Sequence, residues 1–314
     1  MKKVIVVPLK LYEIRKVYTD QFFMLFNRLC KTFGFEVVFT DSLKGITADL
    51  FLIQVGVHGQ NAMRESTFLS SNKKVVLYLG GPHAFPHSKS MVALAFKHAN
   101  YLLGGGGGEI FRKVWPEYVD KFEVFPNFFA PQERYTSLKF NEQPLMRCLL
   151  SGNTSGRWYP LRAMIAKAIL RGETQTQAID IMRHPRWKTP IEKSTNVIKG
   201  VTGSTYAKTL NRYFCSFVGL GDPGAFPLTK YFEIPATGSL LLAEDSMDVR
   251  EAGFVADKNY VSVNKDNVFE KINQCLANPE AYRNVRLEGM RFVRANHSVE
   301  NRVQRIGEIL KGHI

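Results

Sequence analysis

The stretch Lys230-Tyr-Phe-Glu-Ile-Pro-Ala-Thr-Gly-Ser-Leu-Leu-Leu-Ala-Glu-Asp245 decides how the rest of the chain is read. Tyr231, Phe232 and Ile234 supply side chains that can cover a sheet, and Gly238 permits a turn with positive φ. Leu240 to Ala243 then form an apolar run of the kind found in a central parallel strand. The segment predicts a short helix, a glycine break, a buried strand and an acidic strand end. Lys230 and Glu233 are left polar, three apart on one helix face, where they read equally as a solvated ion pair or as working groups.

Working outward, a chain of 314 residues suits two domains of ordinary size. Its 45% hydrophobic and 22% charged content is that of a globular protein. No apolar run approaches the roughly 18 residues a membrane span needs. Met1 to Pro8 reads as a first strand rather than a secretory leader, because its apolar run is too short. Cys30, Cys148, Cys215 and Cys275 are scattered without a Cys-x-x-Cys pair, which argues against a zinc knuckle or a disulfide framework and for a reducing, cytoplasmic setting. The net charge of +14 predicts attraction to polyanions: nucleotide diphosphates, an anionic membrane face or nucleic acid. About +6 of it precedes Pro131 and about +8 follows, so no single tail carries it.

Strands alternate with helices along the chain. In the first half, strands are expected at Val4 to Val7, Phe35 to Phe39, Ala48 to Val57, Lys74 to Leu79 and Tyr101 to Leu103, with a helix from about Val17 to Phe33. That rhythm implies a parallel sheet, whose ligands lie outside the carboxyl ends of its strands. His58 and His83 fall at such ends, and His87 follows in the same loop. Gly104 to Gly108 precede a helix near Glu109; without a Lys-Ser/Thr ending they read as a flexible loop rather than a phosphate cradle.

In the second half, the strand Arg147 to Gly152 meets the turn Asn153-Thr-Ser-Gly-Arg-Trp-Tyr-Pro160 and a helix from about Leu161. Turn amides and Arg157 together make an anion site plausible there, with Gly152 and Ser155 in the turn. A strand, a Gly loop holding Lys199 and Gly200, a helix near Ser204 and another strand follow. Thr229 stands where it can cap the organising helix or offer a hydroxyl to phosphate. A closing helical region runs from Val268 to Leu276 and from Arg286 to Leu310.

The aromatic-Glu-Ile-Pro-Ala-Thr-Gly run before an apolar strand resembles the donor-binding helix of GT-B glycosyltransferases, specifically the CgeB-like, group 1 type C-terminal domain. The resemblance extends from about Met146 to Leu310, including His297-Ser-Val and Arg302; before that it rests on strand order and the Pro126-Asn127 exit. It implies an α/β fold of two Rossmann-like (GT-B) domains facing across a cleft. The expected divisions are 1–130 for the acceptor side, a linker at 131–145, and 146–314 for the nucleotide-sugar domain with the closing helices.

By the same resemblance Glu233 accepts the ribose hydroxyls of the donor, and Lys199 and Gly200 lie against the nucleobase. Lys230 and Arg157 are the candidates to stabilise the departing nucleoside diphosphate. Many relatives carry a second Glu eight positions earlier, where this chain has Ala225. Neither half holds an Asp-x-Asp pair, so the expectation is metal-independent transfer from a UDP-linked sugar, with no cofactor. The expected acceptor is a saccharide or glycolipid-linked glycan, with peripheral contact to an anionic membrane allowed by the charge. His83, or else His58, would be the general base if the anomeric centre inverts. Two rival readings are a phage-type enzyme that glycosylates modified bases in DNA and a GT-B module that binds nucleotide or glycan without catalysis.

Overall fold

The computed structural model describes residues 1–10, 20–55, 59–80, 89–125, 129–130, 132–135, 137–154, 156–182, 197–198, 200–221 and 226–313. The chain divides into two compact units, one formed by residues 1–128 with 299–314 and the other by residues 129–298.

In the first unit, β1 (Lys3–Val7), α1 (Asp20–Phe33), β2 (Phe35–Phe39), β3 (Leu50–Val55), α2 (Gln60–Ser66), β4 (Lys74–Leu79), α3 (Lys89–His98), β5 (Tyr101–Gly104), α4 (Gly108–Val114) and β6 (Phe122–Val124) build a parallel sheet in the order β2-β1-β3-β4-β5-β6. Its strands read as continuous apolar runs because both faces are covered; all six residues of β3 are buried. The glycines of 104–108 are buried rather than part of an exposed flexible loop. A Cβ on Gly104 would sit 2.4 Å from the Phe122 ring, and the Gly105 amide donates to the Leu79 carbonyl at 2.9 Å. Close packing of β5 against β6 is what requires glycine there.

The second unit runs through α5 (Gln132–Tyr135), β7 (Leu145–Ser151), α6 (Pro160–Leu170), β8 (Ile179–Met182), β9 (Val197–Ile198), α7 (Gly203–Arg212), β10 (Tyr213–Val218), α8 (Thr229–Ala236), β11 (Leu240–Ala243), α9 (Met247–Glu251), β12 (Val261–Ser262), α10 (Val268–Ala277) and α11 (Arg283–Asn296). Its sheet is parallel in the order β12-β11-β10-β7-β8-β9. Chain order therefore reverses between β7 and β10, the arrangement of a Rossmann sheet. Gly238 turns the chain from α8 into β11 with φ +81, the left-handed conformation anticipated for it.

The closing helical region is broken at His297-Ser298 into α11 and α12 (Val299–His313), and α12 groups with the first unit. The sequence reading placed it with the second. On the first unit α12 covers α1: Gly307 lies under Phe33, where a Cβ would meet the ring at 2.4 Å, and Arg28 pairs with Glu300 at 3.3 Å. Val303, Ile306 and Ile309 are buried.

Candidate functional site

In an open parallel sheet, the switch in strand order leaves a crevice at the carboxyl ends of the strands. In the second unit that point lies between β7 and β10, and the chain leaving β7 passes at once through Gly152 with φ +103. A Cβ there would lie 2.6 Å from Nη1 of Arg162 and 3.4 Å from Nζ of Lys230. Two cationic heads thus close on one strand end because glycine leaves room for them.

Arg162 projects from the first turn of α6 and is 2% exposed. Its Nε and Nη2 are buried with no hydrogen-bond partner among the described residues. The guanidinium carbon lies 3.7 Å from the centre of the Tyr159 ring. Burial lowers its pKa, with Tyr159, Tyr206 and Tyr231 acting in the other direction. A cation in the first turn also opposes the positive end of the helix dipole, so the fold carries an electrostatic cost at this position that an arriving anion would relieve.

Lys230 is the second residue of α8, half-buried, with Nζ 5.5 Å from the centre of the Tyr206 ring. Burial brings its ammonium down to about 8, with Arg162 adding to the fall and Glu233 opposing it. Glu233 is buried one turn along the same helix. Burial first, and then the Glu233 charge, raises the hydroxyls of Tyr135 and Tyr206 above the ordinary tyrosine range. Tyr206 also shares a 2.8 Å hydrogen bond with Ser151, the last residue of β7.

The rest of the unit fixes α8 in place. At its carboxyl end Arg294 Nε donates to the Ala236 carbonyl at 2.9 Å, Asn211 Nδ2 to Thr237 at 2.8 Å and Arg286 Nε to Gly238 at 3.0 Å. Cations on the last carbonyls complement the helix dipole, and its positive amino end, with Thr229 and Lys230, is left at the strand ends. On its buried side Phe232 packs 4.8 Å from the His297 ring, whose Nε2 bonds the Ala252 carbonyl at 2.9 Å. His297 is thereby a packing residue of this unit.

Of the residues nominated from sequence, Gly152, Lys230, Glu233 and Thr229 come together here. Arg157 stands apart: it is exposed on the turn after β7, its guanidinium 4.9 Å from the Trp158 ring. Gly200 is half-buried between β9 and α7. His58, His83, Ser155 and Lys199 lie outside the described residues. Arg162, Tyr135, Tyr206 and Glu244 were not singled out. For Arg162 a signal existed in the basic residue two places after Pro160 at a helix start, where acidic residues are the favoured ones.

Residues 161–308 match a family model described as glycosyl transferase-like, a span that begins in the first turn of α6 and includes Arg162, Lys230, Glu233 and Glu244. No curated protein sequence matches the chain. Among solved structures, a glycosyltransferase from Rickettsia africae ESF-5 superposes with a TM-score of 0.67 at 11% identity, covering 99% of this chain and 98% of that one. HepE of Anabaena in complex with UDP gives 0.63 at 13% identity, covering 98% and 99%. Sucrose-phosphate synthase from Thermosynechococcus elongatus gives 0.59 at 13%, covering 92% and 76%. The shared fold is the GT-B arrangement of two Rossmann-like domains.

Proposed function

We propose that this protein is a glycosyltransferase that moves a sugar from a UDP-linked donor, held on the unit of residues 129–298, to a hydroxyl of a saccharide or glycolipid-linked glycan. Transfer needs no divalent metal and no cofactor beyond the donor. The observation that carries the reading is the convergence of Arg162 and Lys230 on the Gly152 backbone at the β7–β10 switch point. A buried guanidinium, an ammonium and the amino end of α8 form a receptor for a diphosphate. As the glycosidic bond to phosphate breaks, negative charge grows on the departing nucleotide, and cations already in place stabilise it without reorganising. UDP is favoured as the carrier by its presence in HepE, a protein of the same fold.

Glu233 is assigned to the ribose, because an ionised carboxylate can accept both hydroxyls of a cis-diol. Glu233→Ala should weaken UDP binding by about 1.5–3 kcal/mol while the protein stays folded. Calorimetric titration of parent and variant decides it, and equal affinities would remove Glu233 from the site.

The metal-independent reading has its own test. Activity should survive excess EDTA unchanged, whereas loss with EDTA and recovery with manganese or magnesium would overturn it.

The acceptor assignment rests on the charge being spread over both halves rather than gathered into a nucleic-acid track. The same positive surface suits donor capture and contact with an anionic membrane face. The proposed general base remains His83, with His58 second, for an inverting reaction.

A further inference from the structure

The second unit holds another carboxylate at its strand ends that the reading above leaves unused. Glu244 follows β11 directly and is half-buried. Its Oε2 accepts the backbone N–H of Leu220 at 3.0 Å and lies 3.0 Å from where a Cβ on Gly219 would stand. Leu161, in the first turn of α6, borders the same glycine at 3.9 Å. Tyr231 of α8 donates to the Glu244 carbonyl at 2.7 Å and holds this stretch of backbone.

β7, β10 and β11 are successive neighbours in the sheet, so Gly152, Gly219 and Glu244 stand at the ends of three adjacent strands. Each step across the sheet is about 5 Å. Arg162 and Lys230 close on Gly152 at the end of β7, and Leu161, next to Arg162 in the chain, borders Gly219 at the end of β10, whose nearest side-chain neighbour is Glu244 Oε2. The cations at β7, Gly219 at β10 and Glu244 at β11 therefore form an ordered series, with Glu233 one turn of α8 from Lys230. A nucleotide-sugar is also an ordered series of nucleoside, diphosphate and sugar. A donor with its ribose at Glu233 and its diphosphate at Arg162 and Lys230 would direct its sugar along this row of strand ends toward Glu244.

We propose that Glu244 determines donor specificity by accepting hydrogen bonds from the hydroxyls of a neutral hexose and disfavouring an anionic sugar such as a uronic acid. The proposal rests on the reading of Arg162 and Lys230 as the diphosphate site. A carboxylate has about four acceptor positions, of which the Leu220 amide uses one, so capacity is left for a diol. Burial raises its carboxyl above the ordinary range, with the Leu220 amide and Arg162 pulling the other way. Donated hydroxyls would restore solvation that the fold removes.

The experiment titrates the full chain with UDP, UDP-glucose, UDP-galactose, UDP-N-acetylglucosamine and UDP-glucuronate. The parent is expected to bind at least one neutral UDP-sugar about tenfold or more tightly than UDP-glucuronate. Glu244→Gln keeps an oxygen for the Leu220 amide and should bring that ratio near one, with UDP itself bound as before. Glu244→Asp, which keeps the charge but withdraws it by one methylene, should lose affinity for the neutral sugar and still reject glucuronate. A parent that does not discriminate, or the same ratio in parent and Glu244→Gln, overturns the proposal. So does an equal loss for UDP and every UDP-sugar. A parent that binds no UDP at all overturns the diphosphate reading, and this proposal with it, and is told apart by that alone.

Discussion

Lys230→Met is expected to transfer sugar about 10²–10³-fold more slowly than the parent, the usual cost of removing one fixed group that meets developing charge. The same substitution should flatten a pH dependence that the parent shows on the alkaline side. In the free protein, burial and the neighbouring Arg162 bring the Lys230 ammonium down to about 8, against the pull of Glu233. Below that pH the side chain is charged and attracts phosphate. As pH rises through about 8 the proton leaves, and UDP affinity should fall by up to about tenfold per unit. A bound diphosphate favours the charged form, so the break moves to higher pH when donor saturates the enzyme. Rate and KM measured from pH 6.5 to 9.5 in both proteins would check this. A variant that keeps the parent's rate, or the parent's break near pH 8, would show that another group carries the diphosphate.

Arg162→Met should move stability and binding in opposite directions. With Nε and Nη2 buried and unpartnered among the described residues, the guanidinium costs the ligand-free fold several kcal/mol that stacking on Tyr159 only partly offsets. An apolar side chain of similar length should raise ligand-free stability by about 1–3 kcal/mol. It should also weaken UDP binding about 100-fold or more, since paired hydrogen bonds between a guanidinium and a phosphate are lost together. Urea unfolding and UDP titration on the same two proteins read both quantities. A variant that is less stable and binds UDP as well as the parent would make Arg162 a structural residue.

The two sheets were legible because buried parallel strands are written as apolar runs, and Leu240 to Ala243 or Leu50 to Val55 can be little else. Within the candidate site, Lys230, Glu233 and Thr229 are legible as a group because they share one short helix, and Gly152 because it ends a strand. Tyr135 and Tyr206 lie far from Glu233 in the chain, and Glu244 ends a different strand from Gly152, so sequence spacing carries no sign that any of them borders these strand ends. Arg157 is legible in the turn and Arg162 is not, for a different reason. Both follow β7, and which one is buried depends on the phase of α6 against the sheet, a tertiary property. The break at His297 was hidden in the same way: the helical pattern runs on past it, and the chain stops there because the ring is drawn among Phe232, Phe254 and Phe292. Gly104 to Gly108 read as a flexible loop because nothing local announces the Phe122 ring lying against Gly104.

The return of α12 to the unit that begins the chain sets an order of events during synthesis. At the usual 5–20 residues per second, residues 129–298 take roughly ten to thirty seconds to emerge. Throughout that interval the face of α1 around Phe33 awaits the helix that will cover it. The unit made first is therefore the one finished last. A fluorophore at Lys311 would report the completion of the sheet of residues 1–128 rather than of the unit translated just before it.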